Sequence, residues 1–130
     1  MSKGRQQPPN IPTDEEFARA SESMSAQHRM FATIRDHVLR LFAAQAQLHD
    51  IYFFGSETDY EAHIFYDSEA DIERCRVNGV ERMLKEAICQ AFAGTAKSQG
   101  SSISPTLAFK FDSHENVKRR CNGNYDKYFR

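Results

Sequence analysis

The first apolar spacing with a clear period is Phe31, Ile34, Val38, Leu41 and Phe42. Steps of three and four put these side chains on one face of a helix and the polar residues on the other. Gln45 breaks the stripe and Leu48 resumes it, so the helix is expected to weaken in its last turns. Upstream, Thr13 followed by Asp14, Glu15 and Glu16 fits a capping box, in which hydroxyl and carboxylate satisfy the free amides of a helix start. That predicts a helix to about Glu22, with the stretch SESMS as the place where it loosens or breaks.

At DIYFFGS the period changes from helical to two. Ile51 and Phe53 point one way, Tyr52 and Phe54 the other. A polar turn follows from Gly55 to Asp59. Then Tyr60, Ala62, Ile64 and Tyr66 alternate with Glu61, His63, Phe65 and Asp67. This predicts a β-hairpin with Gly55 easing the bend. Both faces carry rings, so one face packs on helices while the other stays partly accessible.

Ser68, Glu69, Ala70 and Asp71 form a second capping box. Ile72 and Cys75 open an apolar stripe that Asn78-Gly79 interrupts. Val80, Met83, Leu84, Ala87, Ile88, Ala91 and Phe92 then give an amphipathic helix, with Gly94 as its expected stop. TAKSQGSSIS reads as a loop. Leu107, Phe109 and Phe111 alternate with Ala108, Lys110 and Asp112, a third strand with one apolar side. In the tail, Asn122-Gly123 is a strong turn signal between flanks of undecided conformation. No internal repeat is visible.

The element order is α-β-β-α-β with a basic, aromatic C-terminal tail. The expected fold is α+β: a small antiparallel sheet of three or more strands, helices packed on one face. Residues 1–12, with Pro8, Pro9 and Pro12, read as a flexible arm, and 13–130 as a single domain.

Composition changes this picture little. The chain has 130 residues, 40% of them hydrophobic, which suits one core. No apolar run approaches the roughly 20 residues of a membrane span, and Met1 to Pro12 lacks a signal peptide's apolar centre. Cys75, Cys89 and Cys121 show no CxxC spacing and read as reduced, mostly buried thiols of a cytoplasmic protein.

Charge changes it more. The net value of −1 conceals an asymmetry: residues 50–73 hold eight acidic and no basic side chains, while residues 74–130 hold eleven basic and five acidic ones. Six aromatic residues lie within that acidic stretch. Glu69, Asp71 and Asp59 are explained by helix starts and a turn. The remainder, beside exposed rings, has the composition of a surface that meets a basic partner.

Candidate chemistry is thin. His28 and His37 stand nine residues apart on a helix, on opposite sides, and share no metal. His63, between Glu61 and Asp67, reads first as a half-buried imidazole beside carboxylates rather than a zinc ligand or general base. The run Asp112-Ser113-His114-Glu115-Asn116 groups an acid, a hydroxyl and an imidazole, but residues adjacent in sequence rarely meet as a catalytic set. Ser113 and Asn116 also suit a cap or turn. Lys118-Arg119-Arg120 with Lys127, Arg130 and the rings Tyr125, Tyr128 and Phe129 offers a nucleic-acid alternative, weakened by Asp126 and by the acidic stretch. HExxH, GxSxG, glycine-rich phosphate loops and paired Cys ligands are absent, so no enzyme, cofactor or metal is expected.

FKFDSHENVKRRCNGNY resembles the C-terminal signature of bacterial immunity proteins from contact-dependent growth inhibition and other polymorphic toxin systems. YDSEADIERCRVNGVERMLKEA is similar to the middle of such proteins, and the likeness covers roughly residues 50–130. The resemblance implies a cytoplasmic antitoxin that binds a cognate toxin domain, commonly a basic nuclease, and blocks it without catalysis. The expected contact set is Asp59, Tyr60, Glu61, His63, Asp67, Glu69 and Glu73, with Asp112 and Glu115 as additions. The expected partner is that toxin domain, with no membrane; the alternative is an RNA-binding or regulatory module using the tail.

Overall fold

The computed structural model describes residues 13–56, 58–100 and 105–130; the N-terminal arm read at 1–12 lies outside them. The described elements are α1 (Asp14–Leu41), β1 (Leu48–Ser56), β2 (Asp59–Tyr66), α2 (Glu69–Val77), α3 (Val80–Ser98), β3 (Thr106–Ser113), α4 (His114–Cys121) and α5 (Tyr125–Tyr128). Of the described residues, those up to Met30 form one unit and those from Phe31 another, with α1 contributing to both.

In the first unit, Glu16 N donates to Thr13 Oγ1 at 3.1 Å and Thr13 N to Glu16 Oε1 at 2.9 Å, the expected capping box. The expected break at SESMS does not occur: α1 is continuous from Asp14 to Leu41. Serine costs a helix only a few tenths of a kcal/mol per residue, about what the neighbouring helix formers offset. In the second unit α1 ends earlier than its stripe suggests. Leu48 belongs to β1, opposite Tyr66.

The hairpin forms as expected, from Ser56↔Asp59 up the ladder to Asp50↔Phe65. Gly55 holds φ +114°, and a Cβ there would lie 2.1 Å from the Asp59 carbonyl oxygen, so only glycine fits this bend. The sheet order is β1-β2-β3, but β3 runs parallel to β2, from Asp59↔Thr106 to Tyr66↔Ser113. The sheet is therefore mixed, not antiparallel. α2 and α3 supply the long crossover that carries the chain back to the start of β2, which a parallel neighbour requires. Asn78-Gly79 separates these two helices as expected, with Gly79 at φ +87° and the Asn78 side chain accepting from Val80 N at 3.0 Å. α3 passes through Gly94 to Ser98; Gly94 is exposed with open space around it, so it costs only backbone entropy.

One sheet face is the main core. Ile51, Phe53, Ala62, Ile64 and Tyr66 meet Ile34, Val38 and Phe42 of α1 and its end, Cys75 of α2, and Leu84, Ile88 and Phe92 of α3, all of them buried. Phe92 lies 5.1 Å from Phe53 and 4.8 Å from Tyr60, ring to ring. The other face is covered too, which corrects the expectation of helices on one face only. Tyr125, Tyr128 and Phe129 dock on Tyr52, Phe54, His63 and Phe65, and Phe65 is 1% exposed. Only Cys75 of the three thiols is buried; Cys89 is exposed and Cys121 partly so.

Candidate functional site

β2 and β3 run side by side and each hands over directly to a helix through the pair Asp-Ser, at Asp67-Ser68 and at Asp112-Ser113. Both serines are N-caps. Ser68 Oγ accepts from Asp71 N at 3.3 Å while the Asp71 carboxylate accepts from Ser68 N at 3.2 Å. Ser113 Oγ accepts from Asn116 N at 3.0 Å. A serine oxygen and a carboxylate suit these positions because the first amides of a helix have no partner of their own. Ser113 is fully buried in this role, so it presents no nucleophile to its neighbour His114.

The two junctions are laced together. Glu115 N donates to the Asp67 carbonyl at 3.2 Å, and Glu69 N donates to Glu115 Oε1 at 2.9 Å. Arg119 Nη2 reaches Glu69 Oε1 at 3.2 Å and Asn116 Oδ1 at 2.6 Å. The acid of one strand-to-helix junction thus caps the helix of the other. The recurrence of Asp-Ser followed three residues later by an Asp or Asn was the sequence signal for this pairing, and a search for longer repeats passes over it.

The expected contact residues fall into separate places. Asp67, Glu69, Glu73 and Glu115 gather, exposed, around the joined junctions. Glu69 and Glu73 are four apart on α2 and share its face. Asp59 and Glu61 stand toward the far end of β2, about 26 and about 20 Å from Asp67 at roughly 3.3 Å per strand residue. Tyr60 turns to the helix-covered face, its ring against Phe31 and Phe92. His63 is largely covered, its Nε2 3.0 Å from Glu61 Oε1 and its ring between Phe54 and Phe129. Hydrogen bonding to His63 holds the Glu61 carboxyl below its usual range, with Lys110 adding to the effect. Asp112 is half-buried and structural: its oxygens accept from Ser113 N at 2.7 Å, Asn116 Nδ2 at 3.0 Å and Tyr128 OH at 2.5 Å.

The gathered acids have partial counter-charges. Glu69 meets Arg119, Glu73 meets Arg76, and Asp67 Oδ1 lies 3.7 Å from His49 Nδ1. All of these pairs are solvent-accessible, which keeps them weak and exchangeable.

No family model, curated protein or solved structure matches the chain.

A second cluster lies beside the acids. The β1–β2 register slips between Leu48 and Asp50, leaving His49 as the extra residue of a bulge, and bulges re-aim side chains. His49 stacks on His114 with ring centroids 3.7 Å apart, and His114 Nδ1 lies 2.8 Å from the Tyr125 hydroxyl. Burial holds the His114 imidazole below its ordinary range; His49 and Lys118 push the same way, and Asp67 opposes. Burial also raises the Tyr125 phenol, aided by Tyr52 and Asp50, and pushes Tyr128 up to about 12 with help from its bond to Asp112. The sequence offered the rings of the tail as a basic, aromatic surface. The structure turns them inward, where their hydroxyls find polar partners.

Among the described residues no three His, Cys, Asp or Glu side chains are grouped to hold a metal ion, and no helix is long and apolar enough to cross a membrane.

Proposed function

We propose that the protein is an immunity protein that binds and neutralises a basic toxin domain, using the carboxylates around its two joined strand-to-helix junctions. One observation supports this above the rest. The two stretches that carry the sequence resemblance contribute Glu69 and Glu115, 46 residues apart in the chain, and these meet at 2.9 Å. With Asp67 and Glu73 they present four exposed carboxylates in one neighbourhood. Clustered exposed charge speeds encounter with an oppositely charged partner, the property an antitoxin needs most. The weak pairs to Arg76 and Arg119 break at little cost when a better cation arrives. The reading through the basic tail loses its stacking platform, since Tyr125, Tyr128 and Phe129 pack on the sheet.

The test uses the open reading frame adjacent to this one on its source chromosome. Its C-terminal domain is expressed in a bacterial host with this protein, wild type or variant, and survivors are counted. Survival with the wild type, lost with Glu69→Lys plus Glu73→Lys but kept with Asp59→Lys plus Glu61→Lys, is the expected result. Binding measured alongside should weaken by at least about tenfold for the first pair, the order expected for reversing charges at an interface. Equal loss from both pairs, or from neither, removes the junction from the interface. A harmless neighbour that does not bind the protein removes the toxin reading.

A further inference from the structure

On the tail-covered face lies a pocket of about 340 Å³ lined by His63, Lys110, Asp112, Arg120, Tyr128 and Phe129, among others. We propose that it binds a small planar molecule bearing one anionic group, a phosphate monoester or a carboxylate on a ring. It is independent of the acidic junction and of the toxin reading.

The argument is an accounting of donors and acceptors. The pocket's acceptors are already engaged. Asp112 takes three hydrogen bonds from its own chain, from Ser113 N, Asn116 Nδ2 and Tyr128 OH. The lining residue His63 has its Nε2 3.0 Å from Glu61 Oε1, so that carboxylate is held as well. The donors are not engaged. Lys110 and Arg120 are both exposed, and among the described residues neither forms a hydrogen bond or an ion pair through its side chain. An ammonium and a guanidinium carry several N–H donors and no acceptor, so what completes them is an anionic oxygen. A strand and a helix hold them at this one opening: Lys110 sits on β3 across from His63 in register, and Arg120 lies near the end of α4.

The walls select the rest of the ligand. Tyr128 and Phe129 stand edge to face with centroids 5.1 Å apart, and Tyr128 is fixed by its bond to Asp112. Rings held at 89° to one another form a corner with two apolar walls, contact that a bare phosphate would leave unused. The volume is at the low end of small-molecule sites, which run from about 300 to 1,000 Å³, so it suits one ring with one anionic substituent.

The test titrates the full chain with phenyl phosphate, observing backbone amides by NMR, with benzoate, inorganic phosphate and benzyl alcohol in parallel. The expected result is saturable shifts at Lys110, Arg120 and Phe129 with phenyl phosphate or benzoate, whichever binds tighter naming the anionic group. Inorganic phosphate and benzyl alcohol should each bind at least about tenfold more weakly, since each offers half of the recognition. Lys110→Ala and Arg120→Ala, both at exposed positions that leave the core intact, should each weaken binding about fivefold or more, and Arg82→Ala should not. Benzyl alcohol binding as tightly as phenyl phosphate overturns the proposal. So does undiminished binding in the Lys110→Ala, Arg120→Ala double variant, or no shift from either ring-bearing anion.

Discussion

The two faces of the sheet are covered by different means. On one, Ile34, Val38, Leu84, Ile88 and Phe92 bury apolar side chains against Ile51, Phe53, Ala62 and Ile64 with scarcely a polar group. On the other, the four-residue helix α5 and its C-cap Phe129 bring three rings, two of which are seated by polar anchors: Tyr128 on Asp112 and Tyr125 on His114. Apolar burial is non-directional and tolerant of small shifts. Hydrogen bonds to half-buried partners are directional and, for a titratable partner, pH-dependent. The first face sets whether the chain folds; the second sets whether the tail stays down.

That difference is open to attack from both sides. The largest expected effect is Phe92→Ala, which removes a ring 1% exposed and in contact with Phe31, Phe53 and Tyr60. It should cost about 3–5 kcal/mol in urea denaturation and lower hydrogen-exchange protection throughout residues 31–130. Asp112→Ala strands the Tyr128 hydroxyl and the Asn116 amide and should cost about 1–3 kcal/mol. Its exchange signature should differ: α5 opens while α3 stays protected. Equal opening of both would collapse the distinction between the faces.

The smallest effect is the pH dependence of the tail. The folded state holds His114 neutral more readily than the unfolded chain does. The unfolded chain therefore takes up the proton first, and stability present above about pH 6.5 is lost as pH falls toward the depressed folded value. Denaturation midpoints measured from neutral pH down to about 5.5 should fall, with α5 exchange rising first. His114→Phe keeps a ring against His49 and Tyr125 but has no proton to bind, and should flatten that trend. A slope unchanged by the substitution would place the titrating group elsewhere.

What the sequence made legible is what it encodes locally. The hairpin at Asp50 to Tyr66, both capping boxes and the break at Asn78-Gly79 each rest on residues within a few positions of one another. The parallel pairing of β3 was hidden because it depends on where a crossover of two helices delivers the chain, which no local pattern records. The same holds for the tail. Tyr125 and Phe129 look alike whether they face water or Phe65, and their partners lie some 60 residues upstream. The candidate site was half legible: the acids of β2 and α2 stood out by charge, whereas the cross-capping by Glu115 needed the two junctions to be neighbours in space.

The strand order carries a consequence for how the molecule is made. β2 lies in the middle of the sheet, with Ala62, Ile64, Phe65 and Tyr66 all buried, yet one of its neighbours is encoded far downstream. On the ribosome β1 and β2 emerge together and pair at once, as adjacent hairpin strands do. The opposite edge of β2 then waits, unpaired and apolar, until Thr106–Ser113 appears after the whole of α2 and α3. A strand in that condition is a template for a second nascent chain. The most buried strand of the finished sheet is thus left with an open edge through much of synthesis, and a chain cut short before Thr106 is the form most prone to aggregate.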